Sequence, residues 1–470
     1  MPIKRSYRIK TTLLPRASCF PGIGVVFILM ILSGCARHTP SALYAPPSLL
    51  PSTVPQMKTA GYWISRHSAP DKIILTPEQI KALNQSIRNQ MKLSWDLVLW
   101  PAYYSGEQIR QDLKEQLEGL KKARLMQLDG TSVPDSYWDS ITKNVNPETV
   151  PEKIKRQYGF VVRYANQRLL PTADGLFAKA HDVDFDELQN SALDIGTPVV
   201  ILHTSLDGQW VYVQAALSSG WLKKQDVGAA GKDDFERMSS KPFVVMIDPK
   251  VDVFLNSAMT SHKGYLRMGA RLPFIKEYDG ITEVLVPDMD SDGKTVLVPG
   301  YIMTQQVNKG YLLYTPRMMM IQAFKMLNQP YGWGGMYGEQ DCSRFLQEIF
   351  ATVGIRLPRN SSAQIQIGER LNDWPDQAAD SEKLSLLKES GIGGVTVLGM
   401  KGHIMLYLGM VDDQAYAIHA AWAYRQPGES GDDIFVLNKV TVSSLNLGEG
   451  SKRGSLLKRL NAVRLIGDTR

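Results

Sequence analysis

Between residues 61 and 157, apolar side chains recur at helical spacing. Ile80, Leu83, Ile87 and Met91 share one helix face, and Ile109, Leu113, Leu117 and Leu120 share another. Thr76-Pro77-Glu78-Gln79 opens the first stripe as a capping box with proline at the first helical position, and Ser105 to Gln108 repeats the box before the second. These stripes predict packing faces, not ligand contacts. From 158 to 230 the period shortens to that of strands. Residues 199–203 make one, Asp207-Gly208 a hairpin turn, Trp210-Val211-Tyr212-Val213 a second, and Gly220-Trp221-Leu222 starts a third. A further strand set runs from 238 to 305. There Met268-Gly269-Ala270-Arg271-Leu272-Pro273 parallels Ile195-Gly196-Thr197-Pro198-Val199, which predicts a second, diverged copy of the first β domain rather than one larger one.

From 308 to 470 helices come first and strands afterwards. Thr315-Pro316 caps a helix that Gln329-Pro330 ends. A turn with Gly332, Gly334, Gly335 and Gly338 leads to Cys342. Phe345, Leu346, Ile349, Phe350 and Val353 then form an amphipathic stripe that Gly354 stops. Ser361 or Ser362 can cap a further helix, and strand patterns follow at 395–398, 404–408, 415–419 and 434–437. This order predicts an α+β domain.

The first 34 residues have a basic start and an apolar run from Ile23 to Leu32, too short to span a bilayer as a lasting helix. They read as a secretory signal at 1–34. Leu32-Ser33-Gly34-Cys35 resembles the lipobox of bacterial lipoproteins, which implies lipidation of Cys35 and anchorage to a membrane. Ala36 lacks the aspartate of inner-membrane retention, so in a Gram-negative host the periplasmic face of the outer membrane is expected. Residues 35–60, rich in Pro, Ser, Ala and Thr, predict a flexible tether.

The length of 470 residues predicts two to four domains. The net charge is +6, but Lys4, Arg5, Arg8, Lys10 and Arg16 lie in the acid-free leader, and removing those five leaves +1. No basic stripe stands out, so nucleic acid is excluded as a partner. The three cysteines, Cys19, Cys35 and Cys342, make no disulfide framework.

Cys342 is thus the lone cysteine of the globular part, at the first turn of a helix. There the unpaired N–H groups and the helix dipole predict a thiolate. A thiolate nucleophile needs a base, and His403 and His419 lie downstream in strand-like surroundings. Residues spaced by two point the same way along a strand, so neighbouring strands can present both imidazoles on one face. His403 is expected to take the thiol proton and His419 to orient His403. A zinc site is the rival chemistry, but the set lacks a short ligand pair. No metal and no cofactor are expected.

Tyr331, Trp333, Gly334 and Gly335, the Asp341-Cys342-Ser343 triplet, the stretch from Gly354 to Arg359, Gln364 and the two histidine strands together resemble the NlpC/P60 family of papain-like cell-wall cysteine peptidases. The family's best-known signature continues with glycine, where this chain has Arg344. The segment at 158–230 resembles a bacterial SH3-like (SH3b) barrel. The resemblance implies a multidomain α+β protein: a helical N-terminal segment at 61–157 clipped around the others, SH3-like barrels at 158–230 and 238–305, and a papain-like catalytic domain at 308–470. It implies that Tyr331, Asp341 and Ser343 line the substrate pocket, with Asp341 pairing with a free ammonium group. The implied substrates are peptidoglycan stem peptides, cut between γ-D-glutamate and meso-diaminopimelate, with a preference for a free N-terminal L-alanine, by a monomeric, lipid-anchored, extracytoplasmic enzyme. Phe185-Asp186-Glu187-Leu188-Gln189 is the candidate acidic contact for that amine. The alternatives are an amidase or acyl-transfer enzyme on the same scaffold, and a wall-binding lipoprotein without catalysis.

Overall fold

The computed structural model describes residues 42–43, 49–239, 242–375 and 378–467. The leader and Cys35 lie outside the described residues. Among the described residues no helix is long and apolar enough to cross a membrane.

The two β regions share one topology. Residues 157–230 form a seven-stranded sheet and residues 243–309 another. Numbered along the chain within each sheet, both have the spatial order 7-1-4-5-6-2-3. Each sheet has its own core. Val161, Val199, Val213 and Leu222 fill the first, and Val244, Val251, Leu272 and Val284 the second. In both, the third strand (Gln189–Leu193 or His262–Arg267) is an edge strand.

The catalytic-type domain holds a mixed sheet in the order Ala42–Leu43, Gly431–Ser444, Gln414–Gly428, His403–Val411, Thr396–Met400, Ala462–Leu465, Glu369–Asp373. One face packs on the helices Pro316–Lys325 and Cys342–Ala351, through Met320, Phe345 and Ile349 against Ile404, Leu406 and Ile418. The other packs on Asp380–Ser390 and Leu456–Arg459, through Met405, Tyr407 and Ala417 against Leu387 and Leu457. Both faces are covered, which is why these strands read as nearly unbroken apolar runs.

The N-terminal segment builds no core of its own. Helix Pro77–Asn89 begins with the complete capping box of Thr76 and Gln79 and sends Ile80 and Ile87 into the catalytic-type core. Helices Gly106–Lys122 and Asp135–Val145 send Ile109, Leu113, Leu117, Ile141 and Val145 onto Trp210, Tyr212 and Trp221 of the first sheet. The strands Tyr103–Ser105 and Lys153–Lys155 pair within this segment, which periodicity did not reveal.

The expectation of a flexible tether through residue 60 is corrected for its ordered parts. Ala42–Leu43 pairs with Ile434 and Phe435. Leu50 and Met57 are buried, and Trp63 Nε1 donates to the Met57 carbonyl. Composition indicated a segment unable to form a core; it did not reveal that the segment docks on another one.

Candidate active site

Cys342 is the first residue of the helix Cys342–Ala351, and Asp341 is its N-cap. The site is built around the Asp341 carboxylate. It accepts from the backbone N–H of Arg344 at 2.8 Å and of Gly334 at 3.2 Å, from Ser343 Oγ at 2.9 Å, and from Arg359 Nη2 at 2.6 Å and Nη1 at 3.2 Å. Arg359 also donates to Ser343 Oγ and, through Nε, to Ser191 Oγ of the first sheet. Burial alone would raise the Asp341 carboxyl, but Arg359 and the other donors outweigh it and hold it below the usual range. A carboxylate offers about four lone-pair sites. Five donors fill them, so Asp341 is cap and ion-pair partner here, not an open acceptor for a substrate ammonium. Ser343 is likewise spent within the cluster. Tyr331 differs: it lies beside Cys342 and Asp341, burial raises its phenol well above 10, and its hydroxyl has no hydrogen-bond partner among the described residues.

The histidines meet as expected. His403 Nε2 lies 2.7 Å from His419 Nδ1, and His419 Nε2 lies 2.9 Å from Ser443 Oγ. Strand alternation puts all three on the sheet face that carries Met405, Tyr407 and Ala417. The Cys342 helix packs on the opposite face. The sheet is split where the two must meet: pairing between the strands His403–Val411 and Gln414–Gly428 begins only at Leu406↔Ile418. The Ile404 N–H is the backbone donor that acts on the Cys342 sulfur. That places the sulfur at the start of the His403–Val411 strand.

Among the described residues no hydrogen bond joins the sulfur to His403, and the expected resting thiolate is corrected. Burial, then the charge of Asp341, pushes Cys342 up to about 12. Burial, then the charge of Arg459, pushes His403 down to about 4. Burial and His403 also lower His419. The helix N-terminus supplies about 0.3–1 kcal/mol toward the thiolate, whereas desolvating an ion costs several kcal/mol. Burial wins, and it favours a neutral thiol at Cys342 and a neutral imidazole at His403.

Asp186, in the candidate acidic stretch, is also engaged elsewhere. It pairs with Arg168 and accepts from Leu176 N and Leu188 N. Its neighbour Glu187 is half-buried with no cationic partner among the described residues, and burial, then Asp186 and Asp182, raise it. Phe185 stands against Trp333 and Trp422 at ring-centroid distances of 5.3 and 5.2 Å, and Trp422 Nε1 donates to Asp184 at 2.8 Å.

Residues 328–435 match the NlpC/P60 family, and residues 175–223 match an SH3 domain of the SH3b1 type. The chain carries an SH3b domain and an NlpC/P60 domain. The gamma-D-glutamyl-L-lysine dipeptidyl-peptidase of Bacillus cereus is 24% identical over 197 residues, covering 40% of this chain and 54% of that protein. The chain thus spans about half the length of that curated relative. Among solved structures, an NlpC/P60 endopeptidase from Photobacterium damselae subsp. piscicida aligns with a TM-score of 0.69 at 20% identity, over 91% of this chain and 99% of that one. An NlpC/P60 family protein from Bacillus cereus aligns with a TM-score of 0.44 at 17% identity, over 60% and 83%. At 20% identity the likeness to the Photobacterium structure is one of fold.

Arg344, where the resemblance implied glycine, makes a long-range contact. Its guanidinium donates to Glu348 Oε1 at 2.7 Å and to Asp194 Oδ2, just after the first sheet's edge strand, at 2.8 Å. Asp194 also binds Arg267 of the second sheet. Burial alone would raise Asp194, but Arg267 and Arg344 outweigh it. Arg344 thus ties the Cys342 helix to both β domains. Sequence reasoning missed Arg359, Ser443, Asp194 and Trp422 as site partners. Arg359 had a signal, as the last residue of the quoted Gly354–Arg359 motif; the others had none, because their partners are remote in sequence.

Proposed function

We propose that this protein is a cysteine peptidase of the bacterial cell wall, in which Cys342 attacks an amide carbonyl with His403 as base and His419 as its orienting partner. The observation that carries the reading is the 2.7 Å His403–His419 contact beside a helix-start cysteine. In the productive tautomer His419 donates from Nε2 to Ser443 and accepts on Nδ1 from His403 Nε2. That leaves His403 Nδ1 to take the thiol proton. The sulfur then bonds to the carbonyl carbon, the C–N bond breaks, and His403 returns the proton to the leaving amine. Water loses a proton to His403 and attacks the thioester; the C–S bond breaks and the sulfur regains its proton. The Cys342 N–H, in the helix's first turn, and the Tyr331 hydroxyl, kept protonated by burial, supply the oxyanion donors.

The substrate class is the peptidoglycan stem peptide, and the bond is γ-D-glutamyl–meso-diaminopimelate. The curated relative's name favours lysine at the second position, so both peptides belong in the assay. A free N-terminal L-alanine would find Glu187, the unpaired carboxylate of the first β domain's long loop, in place of the occupied Asp341. Cys35 would carry the lipid, and the enzyme would act as a monomer on the periplasmic face of the outer membrane in a Gram-negative host. The test is incubation of the soluble form, lacking residues 1–35, with L-Ala-γ-D-Glu-meso-diaminopimelate and with its L-lysine counterpart. Release of the free diamino acid is expected with wild type and not with Cys342→Ala. Equal release by both proteins would remove the mechanism.

A further inference from the structure

The glycine turn that precedes the nucleophile is clasped by the β domains. Tyr164, in the first domain, donates its hydroxyl to the Gly335 carbonyl and accepts from the Gly338 N–H at 3.1 Å. Gln189 donates to the Gly334 carbonyl at 3.2 Å. Gly334 and Gly335 have φ of 60° and 85°. A Cβ on Gly334 would lie 2.6 Å from Gln189 Cγ, and one on Gly335 2.9 Å from Ala192 Cβ. The second domain closes the turn's far side, where a Cβ on Gly338 would lie 1.9 Å from Tyr265 Oη. Tyr164 stacks on Tyr265 with ring centroids 5.8 Å apart. On the other side of Cys342, two residues on, Arg344 is held by Asp194. The nucleophile is therefore suspended between two anchors on the first β domain, one before it and one after it.

We infer that the first β domain is part of the catalytic apparatus, with Tyr164 as a positioning residue that holds the glycine turn against Cys342. The path is short. Gly334, in the clasped turn, donates its N–H to Asp341, and Asp341 caps the helix at the nucleophile. Cys342 itself is buried, 8% exposed. Tyr164 never touches substrate; it acts through the turn. Burial keeps its phenol protonated and able to donate.

The inference rests on the peptidase reading for its activity readout, so wild-type cleavage and its loss in Cys342→Ala are established first. The test variant is Tyr164→Phe in the soluble form, which removes one oxygen and keeps the ring stack. It should lower kcat about tenfold with KM within about twofold. A second readout needs no substrate: alkylation of Cys342 by iodoacetamide against pH, clean because the other cysteines lie in the first 35 residues. Loosening the turn wets the sulfur, so the alkylation profile should move to lower pH while turnover falls. Gln189→Ala should act in the same direction. An unchanged kcat, or a loss confined to KM with an unmoved alkylation profile, would overturn the inference and leave the peptidase reading standing.

Discussion

The two β domains have the same strand order and different work. Their contrast lies in the connection between the second and third strands. In the first domain it runs over residues 169–188 and carries Phe185 to Trp333 and Trp422 and Asp184 to Trp422; in the second it is the short stretch 255–261. The edge strands reach the glycine turn in both, yet the first sends Gln189, Ser191 and Ala192 to the Gly334–Gly335 side of the turn and to Arg359, whereas the second sends Tyr265 to its far side. A shared fold thus gives a scaffold, and loop length with edge-strand side chains decides which copy touches the chemistry.

Breaking the shared junction should have the largest effect. Asp194→Ala leaves the buried Arg267 and the part-buried Arg344 with Glu348 as their shared carboxylate. It should destabilise the protein by about 3–5 kcal/mol, measurable by denaturant unfolding. Next, Gly334→Ala must adopt a left-handed conformation and push away Gln189. It should lose about 1–3 kcal/mol and at least tenfold in kcat, whereas Gly280→Ala, also at positive φ but with open space and far from the turn, should lose the strain alone and no activity.

Acid should act on the catalytic-type domain through its histidines. His403 titrates at about 4 in the folded chain and near 6.5 unfolded. Below 6.5 the unfolded chain binds the extra proton, so stability is full above that pH and falls as the pH drops toward 4. His419 acts in the same direction. Tm should decline through this window, and His403→Asn should make the decline shallower. The smallest effect belongs to the second domain's own contact. Lys250→Ala removes a part-exposed ion pair with Glu339 and should cost about 1 kcal/mol or less, with kcat unchanged.

Much of this was legible in the sequence where the cause is local. The Thr76 box, the Cys342 helix and the histidine strands follow from spacing over a few residues. The similarity of 268–273 to 195–199 anticipated a repeated topology. What was not legible depends on distant partners. Asp341 looks open until Arg359 is seen to occupy it, and the Cys342 thiol looks activated until its burial is known. Arg344 read as a mere departure because its meaning lies in Asp194 and Arg267 on two other domains. Residues 49–60 read as tether because their core belongs to another part of the chain.

The most direct test is a single-turnover assay of the soluble protein with L-Ala-γ-D-Glu-meso-diaminopimelate, quenched in acid and read by mass spectrometry. The account predicts an L-Ala-γ-D-Glu acyl adduct on the peptide containing Cys342, followed by free diaminopimelate, with the adduct absent in His403→Ala. Product release without any adduct at Cys342, or an adduct that forms as fast without His403, would contradict it.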